Sequence, residues 1–219
     1  MAENEQDDDG GNPDAKAPLY KRAIDLALGL DPEGLKSYAD AKRAANPELD
    51  ARQLAQKIVG SFASKAAVEG FVTGLPGNPF IAVPAGVADV GYVLRCYAGL
   101  TATIGYLANE HYFDDPDWKA DVYVMVSGPT VVSRALRDAG VLFGKQATKQ
   151  LIRKYISKGV LKALQRAILK WFAKKVTQRM IITKTLPIIG GLIGGGWNYA
   201  ELRIVGARAI TYHFDNAVG

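Results

Sequence analysis

From Pro18 onward, apolar residues return at intervals of three and four, the spacing of one helix face, and two-residue alternation is nearly absent. Val122 to Val126 is the one stretch that resembles a strand, and a helical turn fits it equally well. Asp31-Pro32-Glu33 and Asn46-Pro47-Glu48 repeat one start signal: a capping side chain, a proline at the first helical position, then an acid in the positive first turn. Asp115-Pro116-Asp117 repeats it before Trp118. These patterns predict helices over 18–29, 32–45, 47–73, 84–111, 116–126, 129–143, 145–157, 160–184 and 187–216. The expected fold is all-α, a compact multi-helix bundle, with no tandem repeat at solenoid period.

Two segments depart from that periodicity. Residues 1–16 are acidic, bear Gly, Asn and Pro, and have no aromatic side chain, so they are expected to form a disordered leader ahead of a single domain over 17–219. Residues 70–88 are nineteen consecutive uncharged positions, close to a membrane-spanning length. Pro76, Pro79 and Pro84, with Gly74, Gly77 and Asn78, interrupt such a helix. A buried turn region between core helices is the expected reading, and shallow insertion into a bilayer is the alternative.

Charge changes the picture more than composition does. The net charge of +5 hides a strong asymmetry, because twelve of the 22 acids fall within the first fifty residues. Between Asp138 and Glu201 there is no Asp or Glu, yet twelve Lys and Arg occur there. A one-sign block repels itself and calls for an anionic partner. After a break near Lys158-Gly159, Lys162, Arg166, Lys170 and Lys174 cover an arc of about 120° on one helix. Val160, Leu161, Leu164, Ile168, Trp171 and Phe172 lie opposite.

That arrangement is an amphipathic basic helix, and it points to an anionic membrane surface. Lys158, Lys162, Arg166, Lys170, Lys174 and Lys175 are expected to supply the electrostatics, and Trp171 partial insertion. The plainer reading is a core helix with a basic wet face. Nucleic acid is disfavoured, since the aromatics are not interleaved with the cations and no recognised motif accompanies them.

The second telling stretch is Leu186-Pro187-Ile188-Ile189-Gly190-Gly191-Leu192-Ile193-Gly194-Gly195-Gly196-Trp197-Asn198-Tyr199. No Lys-Ser/Thr follows the glycines, so a nucleotide phosphate loop is excluded. Gly190/Gly194 and Gly191/Gly195 form two small-xxx-small pairs suited to close helix packing. This segment, leading into Arg203-Ile204-Val205-Gly206-Ala207-Arg208-Ala209, resembles the EcsC protein family, and Gly74-Leu75-Pro76-Gly77, Ala88-Asp89 and Arg95 are similar to its middle segment. The resemblance covers roughly residues 47 to 216. It implies a fold and a membrane- or secretion-linked setting, and no catalytic residues.

The remaining candidate chemistry is sparse. Asp89 stands alone in an uncharged run and is expected to be buried and paired, with Arg203 or Arg208 a better partner than Arg95. Asn198, Glu201 and Arg208 are expected to form a polar stripe between helices. Glu110 to Asp117 groups His111 with several acids but lacks the spacing of a metal site, and neither a metal nor a cofactor is expected. Ser127-Gly128-Pro129 lacks a nucleophile elbow, and neither histidine has a triad context. Cys96, the single cysteine, cannot form an internal disulfide. The acidic start is the opposite of a secretory signal, so a cytoplasmic, peripherally membrane-associated location is expected. A non-catalytic protein on anionic lipid is therefore the leading reading. A soluble module docking on an acidic protein or transporter subunit is second, and a lipid-acting hydrolase third.

Overall fold

The computed structural model describes the backbone of Asp25 and of residues 27–73, 79–138, 140, 149–155, 158–185 and 187–216, and, among these, the side chains outside 69–86, 88–89, 151, 158 and 179–194. Among the described residues there are eight α-helices and no strand. They are α1 (Pro32–Ala44), α2 (Ala51–Thr73), α3 (Pro79–Ala108), α4 (Trp118–Ser127), α5 (Pro129–Asp138), α6 (Lys149–Tyr155), α7 (Lys158–Thr185) and α8 (Pro187–Phe214). A short 3-10 turn, Tyr112–Asp114, joins α3 to α4. The all-α expectation holds, and Val122 to Val126 is helical.

Local chemistry sets the boundaries, and in several places it moves them from where the sequence pattern put them. Asp31 caps α1 by accepting the Glu33 N–H at 3.2 Å, with Pro32 in the first turn. The matching Asn46-Pro47-Glu48 signal does not start α2. Asp50 and Gln53 form a reciprocal capping box instead, each side chain accepting the other's backbone N–H at 2.8 and 3.1 Å, so the helix begins at Ala51. α3 starts at Pro79, which supplies the favoured first-position proline, and it runs on through Pro84. α5 stops at Asp138, five residues short of expectation: Gly140 takes φ +79° and donates its N–H to the Arg137 carbonyl at 2.9 Å. α6 ends at Tyr155 and α7 begins at Lys158, so Lys158-Gly159, where the break was expected, is the first turn of α7.

α3 is the axis of the bundle. From Val93 to Leu107 every residue except Arg95 is buried, and α1, α2, α4, α7 and α8 all pack against it. α2 and α8 form the most extensive pairing. They touch at Gly206, where a Cβ would stand 2.5 Å from Val59 Cγ2. Asn198 fastens the same pair by donating from Nδ2 to the Ala66 carbonyl at 3.1 Å. A smaller cluster of Ala27, Val87, Val90, Leu94, Ile168, Phe172 and Val176 joins α3 to α7. No helix of the described residues is long and apolar enough to cross a membrane.

Candidate functional site

α7 carries the chemistry that the charge pattern singled out. Val160, Leu164, Ile168, Phe172 and Val176 repeat every four residues and are all at most 2% exposed, so this stripe is core. Lys162, Arg166, Lys170 and Lys174 stand on the exposed side. Among the described residues, no carboxylate forms an ion pair with any of the four. α5, packed against α7, adds two exposed cations, Arg134 and Arg137. The side chain of Lys158 lies outside the described residues.

Two expectations for this helix are corrected. Trp171 is not a freely exposed side chain. It is half-buried and packs against Tyr97, ring centroids 6.1 Å apart, and the apolar face beside it is already used by α3. Lys175 is not on the exposed arc. One residue past Lys174 turns about 100° around the helix, which carries Lys175 to the inner side. It is 5% exposed and donates to Glu201 Oε1, with its ammonium 4.4 Å from the Trp197 ring centroid. The other Glu201 oxygen, Oε2, accepts the Tyr97 hydroxyl.

The polar stripe expected on α8 is partly assembled. Asn198 is fully buried, Glu201 is partly buried and paired, and Arg208 is partly buried. Arg203 and Arg95, expected to be buried, are exposed. Arg203 belongs to the outward row of Gly196, Tyr199, Ala200 and Ala207 on α8, and Arg95 reaches the Gly29 carbonyl at 3.4 Å. The side chain of Asp89 lies outside the described residues, as do those of Gly190, Gly191 and Gly194, residues 74–78 and the leader over 1–16. Gly195 is buried, whereas Gly196 faces open space.

A second polar centre was not foreseen. Asp121 is fully buried on α4 and accepts from Arg153 Nε at 3.1 Å, from Arg153 Nη2, and from the Tyr212 hydroxyl at 2.7 Å. Arg153 also donates to Asp115. Hydrogen bonding to Asp121 holds the Arg153 guanidinium firmly protonated, and burial followed by the Asp121 charge pushes the Tyr212 phenol far up. Lys149 contacts His213 Nδ1 at 3.3 Å, and burial lowers the pKa of both groups. Lys149 also sits 5.3 Å from the Tyr212 ring centroid. The sequence held one signal for this centre: Asp121 adjoins the uncharged, largely apolar run from Val122 to Val126.

The consequence is a sorting of the basic block. Arg153 and Lys175 are neutralised by acids from outside it, and Lys149 is drawn inward. The Lys162 to Lys174 row is not. Behind that row, between α7 and α8, lies a cleft of about 290 Å³ lined by residues including Tyr97, Ser127, Trp171, Glu201, Ile204 and Arg208. No protein-family model, curated protein or solved structure matches this chain.

Proposed function

We propose that this protein is a non-catalytic peripheral protein that adsorbs to anionic lipid surfaces through the exposed row Lys162, Arg166, Lys170 and Lys174. The observation that carries the reading is selective neutralisation: among the described residues, carboxylates reach Arg153 and Lys175 but none pairs with these four exposed cations. A purely structural helix has no need to keep four like charges on one arc, and their mutual repulsion is relieved by phosphate headgroups. Each cation near an anionic leaflet contributes about 1 kcal/mol, so the row supplies about 4 kcal/mol. Because the apolar face of α7 is occupied by the core, adsorption is electrostatic and needs no insertion. The resemblance of the glycine-rich segment to EcsC proteins points to the same membrane-linked setting.

Flotation with phosphatidylglycerol vesicles tests this. The protein floats with them at low salt, is released at high salt, and does not float with neutral phosphatidylcholine vesicles. Flotation with neutral vesicles, or with none, contradicts the reading.

A further inference from the structure

We propose that the cleft between α7 and α8 binds a single-chain anionic amphiphile, an alkyl chain ending in a carboxylate or a phosphate monoester. The cleft is built along two turns of α8, with a polar group at each end. Glu201 and Arg208 are seven residues apart, about 10 Å along the axis. Val126, Val131, Ala167, Ile168, Trp171 and Ile204 supply an apolar wall between them. A cleft of about 290 Å³ with an apolar wall between two polar ends suits an alkyl chain that carries one charged end.

The two ends differ in what they still lack. Both oxygens of Glu201 are taken, one by the Lys175 ammonium and the other by the Tyr97 hydroxyl, so that end offers no charge to a cation. Arg208 has no carboxylate partner among the described residues. Its guanidinium lies over Gly128, where a Cβ would come 3.0 Å from Nη1. Gly128 also holds φ +79°, so both the backbone turn and the seat of the arginine require glycine. The preceding residue, Ser127, lines the cleft, and its Oγ is shut away from solvent with no hydrogen-bond partner. A buried hydroxyl without a partner beside an unpaired guanidinium is a pair of donors lacking an acceptor, and an oxyanion completes both.

This inference rests on the cleft and not on the exposed row of α7, so the two readings fail separately. Laurate, dodecyl phosphate, dodecanol and dodecyltrimethylammonium, each below its micelle concentration, are titrated into the full chain and followed by calorimetry and by tryptophan fluorescence, to which Trp171 in the cleft wall contributes beside Trp118 and Trp197. The expected result is saturable one-to-one binding of laurate, dodecyl phosphate or both, with dodecanol and the cation weaker by about tenfold, the scale of one charge-assisted hydrogen bond. Preference between laurate and dodecyl phosphate tells a fatty-acid source from a phosphate headgroup.

Arg208→Gln weakens the anions about tenfold without weakening dodecanol. Ser127→Ala, which removes only an unsatisfied hydroxyl and keeps the fold, weakens them in the same direction. Ala167→Phe fills the slot and blocks all binding, while neutralising Lys162, Arg166, Lys170 and Lys174 leaves it unchanged. Equal binding of laurate and dodecanol, anion binding that survives Ser127→Ala and Ala167→Phe, or no saturable binding overturns the proposal.

Discussion

Burial disfavours the charged form of His213. Burial first, and then the positive charges of Lys149 and Arg153, hold its imidazole well below the usual histidine range. The ring is packed edge-on against Tyr112 and Tyr212, and the Tyr212 hydroxyl donates to the buried Asp121. In the unfolded chain it protonates near 6.5, so below that pH the unfolded state binds one proton more than the folded state. Stability is therefore full above about pH 6.5 and falls as pH drops through it, by about 1.4 kcal/mol on reaching about pH 5.5. Urea melts at the two pH values measure the loss, and His213→Gln removes the slope. An unchanged slope contradicts the assignment, since His111, exposed beside Asp114, is the only other histidine.

Asp121 sets the other residue-scale expectation. Asp121→Asn keeps the shape but removes the charge that pairs with Arg153 and accepts the Tyr212 hydroxyl. Loss of one partner of a buried pair costs about 3 kcal/mol, with Asp115 left to retain part of the guanidinium's pairing. Thermal or urea unfolding reads it; a loss well under 1 kcal/mol places the pair among ordinary surface contacts.

Among the elements, α8 separates two kinds of glycine. At Gly206 a Cβ enters Val59, and both lie on helices packed against the core, so Gly206→Ala destabilises by about 1–3 kcal/mol. At Gly196 a Cβ meets nothing, and Gly196→Ala stabilises by about 0.5–1 kcal/mol through helix propensity. Melting temperatures of the two variants should move in opposite directions. The sequence signalled close packing at Gly190, Gly191, Gly194 and Gly195; Gly195 is buried, the surroundings of the other three lie outside the described residues, and the close approach to α2 at Gly206 carried no signal of its own.

Element boundaries were legible where a single local signal acted. Asp31-Pro32 starts α1 as its residues predict, whereas at Asn46-Pro47 two signals compete and the Asp50/Gln53 box prevails. The exposed arc of α7 was legible because four-residue spacing is local. The fates of Lys175 and Arg153 were not: their acids sit 26 and 32 residues away on other helices. An acid-free stretch of sequence says nothing about acids that the fold brings to it.

For the whole molecule, the fold divides the cations into internal ties and an external face. Arg153 and Lys175 join α4, α6, α7 and α8, and the row from Lys162 to Lys174 is exposed. The leader bears on this balance through composition alone. Residues 1–16 contain six acids, and their removal is expected to tighten binding to phosphatidylglycerol vesicles by lifting competition for the basic face. Unchanged binding of the truncated chain removes the leader from the account.

The central claim is that position on α7, and not bulk charge, drives adsorption. Its most direct test compares vesicle partitioning of the wild-type chain with two fourfold variants. One carries Lys162→Gln, Arg166→Gln, Lys170→Gln and Lys174→Gln. The other removes the same charge elsewhere through Lys42→Gln, Lys65→Gln, Lys119→Gln and Arg203→Gln. At about 1 kcal/mol per cation, the α7 variant loses roughly a thousandfold in partitioning to phosphatidylglycerol vesicles while the second variant loses far less. Equal losses in the two variants, or an α7 variant that still partitions like the wild type, contradict it.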